Sequence, residues 1–370
     1  MSKSKTRPVI SRPERTHFFQ NQLKEEEPLT LATASRLYTL SAVIMGIAPW
    51  EFLADQNLFV LQDGNSGEMC YCSVMGAMGE VFSLYVYVGS ESYRFFKKVS
   101  LGEPVSSSDF LGSQTGVSVE FVKASELTPP DRDLLKYFDH PTKRGLRSPI
   151  FRALRPGYYS WYVTESEGSL LAECMQALIA FCEHLSRQTV NFWEEEDRYP
   201  LLTPSGAPER GRYQIQTIKA PMPAAPPPKP PVMDETRLRR LRERDYTVRG
   251  CLEADSFSSN VKIGGPNERR SFVRVGLVTD ATSGFLFPPE LGTASKTAGE
   301  VLVNAILNAI ETANCIPAEV RVSSQEMKVM LEPLVQQIGT ALRVVKSLPS
   351  LREAKEGLLA TMGDPGMFQP

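Results

Sequence analysis

The sequence lacks the motifs that assign a reaction class at sight. It has only three histidines in 370 residues, and none of them has a GxSxG nucleophile elbow or a cysteine partner at a recognised spacing. The phosphate-binding patterns GxxxxGK(S/T) and GxGxxG are also missing. We therefore expect neither a Ser-His-Asp or Cys-His hydrolase nor a P-loop or Rossmann nucleotide-binding protein.

An excess of one charge is missing as well, because 41 Lys and Arg residues against 43 Asp and Glu residues give a formal net charge of −2. Such a balance offers no global attraction to nucleic acid or to an anionic membrane. The most apolar runs are short and fall well below the roughly 20 residues that a membrane helix needs. The six cysteines are sparse and lie mostly in apolar runs, as buried reduced thiols do. We expect a cytoplasmic protein with no membrane segment.

A proline-rich segment divides the chain. Ala220–Met233 reads APMPAAPPPKPPVM, and proline at this density removes backbone donors and fixes φ, so neither a helix nor a central strand can form. We expect an extended spacer between two folded units. The predicted divisions are a disordered tail over 1–28, an α+β domain over 29–199, a Pro-rich linker over 200–233, a second domain over 234–362 and a disordered tail over 363–370.

The first domain alternates helical and strand patterns. Apolar spacing predicts helices over Leu31–Met45 and Ser169–Leu185. Strands are expected at Leu58–Gln62, Met69–Met75, Phe82–Val88, Val117–Val122 and Tyr159–Val163. Because tight turns join the first three strands, the sheet should be an antiparallel meander. This pattern is typical of an α+β fold.

The second domain has the element order βββαβαβα. Strands are expected at Tyr246–Leu252, Phe272–Thr279, Phe285–Phe287, Glu319–Val322 and Ala341–Val345, with a polar loop over Ser256–Gly265. A short helix precedes these strands at Glu235–Arg244, and the longer helices are expected at Thr297–Ala313, Gln325–Ile338 and Leu351–Met362. Tight turns early and whole helices later predict an α/β domain with a mixed sheet. In element order this matches the ribonuclease H-like fold.

Two stretches resemble a bacterial family of tandem domains of unknown function. EMCYCSVMGAMGEVFSLYVYVG at Glu68–Gly89, with PGYYSWYVTESEGSLL at Pro156–Leu171, resembles the N-terminal domain of that family. VRVGLVTDATSGFLFPPEL at Val273–Leu291 resembles its C-terminal partner domain. The resemblance implies a tandem bacterial cytoplasmic protein and carries no assigned activity.

An enzyme with a two-metal site is one alternative. Ribonuclease H-like enzymes hold two divalent ions about 3.5–4 Å apart between carboxylates of the first strand, the fourth strand and a late helix. Asp255 and Asp280 follow or end the first two predicted strands, but Ser323 and Ser324 stand where the fourth strand needs a carboxylate. The other candidate ligands are Glu326, Glu353 and Glu356. Such a nuclease or phosphoryl-transfer enzyme would use Mg²⁺, and the missing acid predicts an incomplete site.

Cys70 and Cys72 raise a second chemical possibility. They are one residue apart on a predicted strand, so both side chains point to the same face, where they could bind a soft metal. Zinc would need two further ligands. We favour buried core cysteines.

A basic cluster raises the possibility of nucleic-acid binding. Five arginines crowd the short helix after the linker, and two more follow in a glycine-rich loop: Arg237, Arg239, Arg240, Arg242, Arg244, Arg269 and Arg270. Arginines so placed could grip phosphates and release counterions. Interleaved acidic residues and the lack of an aromatic stacking platform argue against this alternative.

The sequence therefore favours a non-catalytic protein that acts by binding. We expect an inactive ribonuclease H-like second domain, an unknown protein partner and no cofactor. A metal-dependent nuclease and a nucleic-acid-binding module stay open as alternatives.

Overall fold

A computed structural model describes residues 27–64, 66–103, 114–140, 142, 145–187, 197–205, 212–225, 227, 230–265 and 268–361. These residues fall into two compact units. The first extends to Ala225 and includes Gly265–Arg269, and the second contains the rest. The tails expected at 1–28 and 363–370 lie outside the described residues, apart from Glu27 and Pro28.

A seven-stranded sheet forms the centre of the first unit. Its strands are β1 Phe59–Gln62, β2 Met69–Met75, β3 Ser83–Val88, β4 Gly116–Val122, β5 Ser148–Leu154, β6 Arg198–Pro204 and β7 Tyr213–Lys219. The order is β5-β4-β3-β2-β1-β6-β7, and every neighbouring pair is antiparallel except β1 and β6. The predicted antiparallel meander is therefore confirmed.

Helices cover both faces of this sheet. They are α1 Leu31–Ile47, α2 Gly89–Ser100, α3 Pro129–Tyr137 and α4 Glu165–Leu185. On one face Leu37 of α1 and Phe181 of α4 pack around Phe59. On the other face the Tyr93 ring of α2 stacks on Tyr71 with ring centroids 3.9 Å apart. Because side chains alternate between the two faces of a strand, the strands contribute to one apolar cluster on each face of the sheet.

Two expectations for the first unit are corrected. The segment expected as a strand at Tyr159–Val163 forms only an isolated bridge between Trp161 and Ala153, and the edge strand is β5. The unit also runs past residue 199, because β6 and β7 pair along their lengths. None of the described residues between Ala220 and Met233 lies in a helix or strand.

The second unit is built on a five-stranded mixed sheet. Its strands are β9 Cys251–Ile263, β10 Ser271–Asp280, β11 Glu290–Gly292, β13 Glu319–Val322 and β14 Ala341–Val344. The order is β11-β10-β9-β13-β14; β10 is antiparallel to both neighbours, and β13 is parallel to β9 and β14. A separate parallel pair joins β8 Thr247–Val248 to β12 Cys315–Ile316. The expected mixed sheet is confirmed.

Four helices pack on this sheet: α5 Glu235–Glu243, α6 Ala298–Ala313, α7 Gln325–Ile338 and α8 Pro349–Thr361. Leu252 and Ala254 of β9 join the cluster made with α5, α6 and α7. Phe257 of β9 joins the opposite cluster, which includes Leu351 of α8. Gly276 on β10 permits close approach of α6, because an added Cβ would lie 2.9 Å from the Val301 carbonyl oxygen.

Two strands of the second unit differ from expectation. The polar stretch expected as a loop over Ser256–Gly265 continues β9 as far as Ile263. The return strand expected at Phe285–Phe287 forms only a bridge between Leu286 and Thr279, and the third strand of the sheet is β11. Pairing with β10 stabilises the polar end of β9, although its residues carry little apolar signal.

One described segment, Leu31–Glu51, has the length and apolar composition that a membrane crossing requires. A core helix passes the same test, and α1 buries Ala34, Leu37 and Ile44 in the first unit.

Candidate functional site

A row of polar side chains crosses four neighbouring strands of the second sheet. Backbone pairing sets Thr279 on β10 opposite Glu253 on β9, Glu253 beside Arg321 on β13, and Arg321 beside Arg343 on β14. Paired residues project from the same face of a sheet. The four side chains therefore lie on one face, the one that α8 partly covers.

Glu253 is the buried member of this row. It is 3% exposed, and its Oε2 accepts a hydrogen bond from the Leu351 N–H at 3.0 Å. Leu351 lies in the first turn of α8, where free N–H groups and the helix dipole favour a negative charge. The strand carboxylate therefore caps a helix that is distant in sequence. A buried carboxylate without such a partner would be costly.

Thr279, next to Glu253, is fully buried at 0% exposure. Its hydroxyl has no hydrogen-bond partner among the described residues. Buried polar atoms are usually paired, so this hydroxyl marks a polar point in the sheet that no described residue satisfies.

Arg321 and Arg343 form the exposed end of the row. The Nε atoms of both arginines contact one carboxylate, that of Glu319, at 2.6 Å to Oε1 and 3.0 Å to Oε2. The hydrogen bond from Arg321, together with the charge of Arg343, holds the pKa of Glu319 below its usual range. Both guanidinium groups are thus oriented by the same acid.

Asp255 lies two residues after Glu253 on the same face of β9, and it forms an ion pair with a lysine. Its Oδ2 is 3.7 Å from the Lys355 Nζ of α8, and its Oδ1 accepts the Ser256 N–H. The Lys355 ammonium also sits 4.1 Å from the centre of the Phe257 ring. Burial raises the pKa of Asp255, and the charge of Lys355 opposes this effect.

Asp280 lies on the opposite face of the sheet. It pairs with Leu252, which lies three positions before Asp255 on β9, so the two aspartates project in opposite directions. Asp280 Oδ1 accepts hydrogen bonds from the N–H of Thr282 and from the N–H and hydroxyl of Ser283. These bonds, led by that of the Ser283 N–H, lower the pKa of Asp280. Asp280 therefore organises its own turn.

The remaining candidate acids do not complete a metal site. Glu326 is exposed in the first turn of α7, and Glu353 and Glu356 are exposed on α8. Over the described ranges, no group of three or more His, Cys, Asp or Glu side chains is placed to hold a metal ion. The enzyme alternative required Asp255 and Asp280 to share a site, and the register contradicts this because it places them on different faces.

The predicted basic cluster is only partly available. Arg237 is held by Glu311, with Nε 2.6 Å from Oε1. The Arg269 side chain is only 7% exposed and lies 3.6 Å from Glu167, and Arg270 is half-buried. The members of the predicted cluster that remain exposed are Arg239, Arg240, Arg242 and Arg244.

The cysteine pair of β2 has a neighbour that sequence reasoning did not connect to it. Cys70, Cys72 and Cys174 of α4 are all fully buried. The Cys174 thiol interacts with those of Cys70 and Cys72, and burial raises the pKa of Cys72. Cys174 lies on the apolar stripe of its helix, a signal that could have placed it against the same face of β2.

A small cavity in the first unit lies beside a buried ion pair. Arg152 Nη2 contacts Asp131 Oδ1 at 2.6 Å, and the Asp131 side chain is 2% exposed. Tyr38, Phe138 and Tyr162 help to line a cavity of about 30 Å³. This space suits one or two water molecules and is far below the volume of a typical small-molecule pocket.

The fold and these sites define a mixed α/β protein of two units. Residues 35–202 match the family model of a domain of unknown function, DUF7309, and residues 237–359 match that of a second, DUF6930. The chain is thus a protein with two domains of unknown function in tandem, which confirms the tandem resemblance seen in the sequence. A search of curated proteins gives no match.

The two aspartates should give opposite pH dependences of stability. Because the pKa of Asp255 is raised in the folded chain, its stabilising contribution is full below the ordinary carboxyl pKa and is lost as the pH rises through the folded-state value. Because the pKa of Asp280 is lowered, its contribution is present above the ordinary carboxyl pKa and is lost as the pH falls through the folded-state value.

Denaturant unfolding of Asp255→Asn and Asp280→Asn at pH values around the ordinary carboxyl pKa measures this difference. Relative to the unmodified chain, the Asp255→Asn variant should gain free energy of unfolding as the pH rises. The Asp280→Asn variant should lose it over the same pH range. If the free energy of unfolding changed with pH in the same direction in both variants, the opposite pKa shifts of Asp255 and Asp280 would be contradicted.

Proposed function

We propose that this chain is a non-catalytic binding protein whose second unit has a ribonuclease H-like arrangement without a working metal site. Its partner is a protein, bound in the reducing cytoplasm. The free state of the described cysteines supports the reducing compartment. Leu291 on β11 and Val344 on β14 are 55% and 42% exposed at the two edges of the second sheet, and such apolar edges favour a protein partner.

Sheet order supports the ribonuclease H-like assignment. In chain order β9, β10, β11, β13 and β14 are the first to fifth strands of the five-stranded sheet. Their spatial order is third, second, first, fourth, fifth, with only the second strand reversed relative to its central neighbours. The element order predicted from the sequence, βββαβαβα, supports the same assignment.

The position of Arg321 is the main observation that supports a non-catalytic function. A two-metal site needs a carboxylate on the fourth strand beside that of the first strand. The residue beside Glu253 is Arg321, whose guanidinium is paired with Glu319. A divalent cation at this point would meet a positive charge. Glu253 and Asp255 are moreover engaged by the Leu351 N–H and by Lys355.

A manganese titration tests this proposal. Mn²⁺ added to the intact chain and followed by calorimetry should show no saturable binding below about 1 mM. Single- and double-stranded DNA and RNA should stay uncut in the presence of Mn²⁺ or Mg²⁺. The Asp255→Asn variant should behave identically. Tight binding of Mn²⁺ that is lost in this variant would establish the enzyme alternative and overturn the proposal.

A nucleic-acid-binding function is the second candidate, and the exposure of the α5 arginines favours it. Arg239 and Arg242 form only loose ion pairs, at 4.0 Å and 3.9 Å, with glutamates of their own helix. Exposed pairs of this kind add little energy and release easily. Arg240 is exposed and forms no ion pair with any described residue.

Salt-dependent retardation of DNA or RNA tests the second candidate. If α5 contacts phosphates, binding should weaken steeply as salt rises, and Arg239/Arg240→Glu should abolish it. Glu353→Lys is a useful control, because it alters the charge of an exposed residue on α8, in the same unit. Retention of binding by Arg239/Arg240→Glu would rule out α5 as the contact surface.

A further inference from the structure

One half of the polar face of the second sheet stays open. The helix α8 packs against β10 and β9, and α6 and α7 contribute to the cluster on the other face. The Arg321 and Arg343 side chains on β13 and β14 are 40% and 70% exposed. Both arginines can therefore be reached from solvent on the face that carries Glu253.

The two arginines are adjacent and held in place. They are register partners on neighbouring parallel strands, about 4.8 Å apart across the sheet. Each directs its Nε to Glu319, so the side chains are already ordered before any ligand arrives. The Nη atoms of both have no hydrogen-bond partner among the described residues. These N–H groups are the donors that bind oxyanions in pairs.

Charge at this end of the row favours an anion. The two guanidinium groups share one acid, Glu319, so the positive charges of these three side chains exceed the negative charge by one. The neighbouring Glu253 carboxylate is buried, and the α8 N-terminus already stabilises it. The partial positive charge of that helix N-terminus opposes the attraction between Glu253 and the arginines.

We propose that Arg321 and Arg343 form a clamp for a phosphate monoester. A carboxylate can be satisfied by a single guanidinium, whereas a phosphate monoester offers three terminal oxygens and close to two negative charges. Paired arginines on a rigid element are a recurring means of reading phosphorylated side chains. The inference deepens the proposed binding function, since the monoester would be carried by the protein partner or be a free phosphate.

Phosphate titration of the full chain, followed by ³¹P line broadening, tests the clamp. Inorganic phosphate and a phosphoserine hexapeptide should bind saturably, the affinity for at least one lying in the millimolar range or tighter. Acetate at the same ionic strength should not compete. Arg343→Ala should weaken binding at least tenfold, and Arg240→Ala, which removes an equal charge from α5, should leave it unchanged.

The remaining outcomes separate the sources of the monoester. Tighter binding of the phosphopeptide than of inorganic phosphate assigns the group to a protein partner, and equal affinities assign it to a free phosphate. Lack of saturable binding, equal loss in both arginine variants, or tighter binding of an oligothymidine at this clamp would overturn the inference. A chain that binds neither Mn²⁺ nor phosphate would retain the proposed binding function and lose only the clamp.

Discussion

The hydrogen bond from the Leu351 N–H to the Glu253 carboxylate determines how the second unit can act. It fixes the start of α8 over β9, and the next turn then brings Lys355 to Asp255. The helix α8 therefore contacts both acids of β9, Glu253 and Asp255, that could otherwise act as metal ligands. It also leaves the β13 side of the same face open, where Arg321 is exposed. One buried capping interaction thus holds α8 over the acids of β9, while Arg321 on β13 stays exposed.

Electrostatic order along the polar row follows from this arrangement. A helix N-terminus stabilises a carboxylate buried beneath it, because N–H groups replace water. Arg321 beside it adds attraction to Glu253 and to Glu319. A metal ion would have to displace these partners, whereas an oxyanion needs only the free guanidinium donors. This contrast is the basis on which we propose that the face binds an anion.

Local patterns predicted most elements, and the failures came from tertiary contacts. The helices α4 and α6 and the strands β1 to β4 follow apolar periodicity closely. The polar end of β9 forms because β10 pairs with it, and nothing in the segment itself signals a strand. The candidate site failed for a related reason. Asp255 and Asp280 lie on adjacent strands, but only the register decides that they face opposite sides. The polar row could not be predicted from the sequence, because its four members come from four separate strands.

Amide hydrogen exchange at Leu351 tests the central claim most directly. In Glu253→Ala the protection of this amide should fall by about tenfold or more, in line with the loss of a hydrogen bond to a charged acceptor. Protection of amides within α6, on the opposite face, should be unchanged. Unaltered protection of Leu351 in the variant would show that Glu253 does not hold α8, and would contradict the account of both the closed metal site and the open basic face.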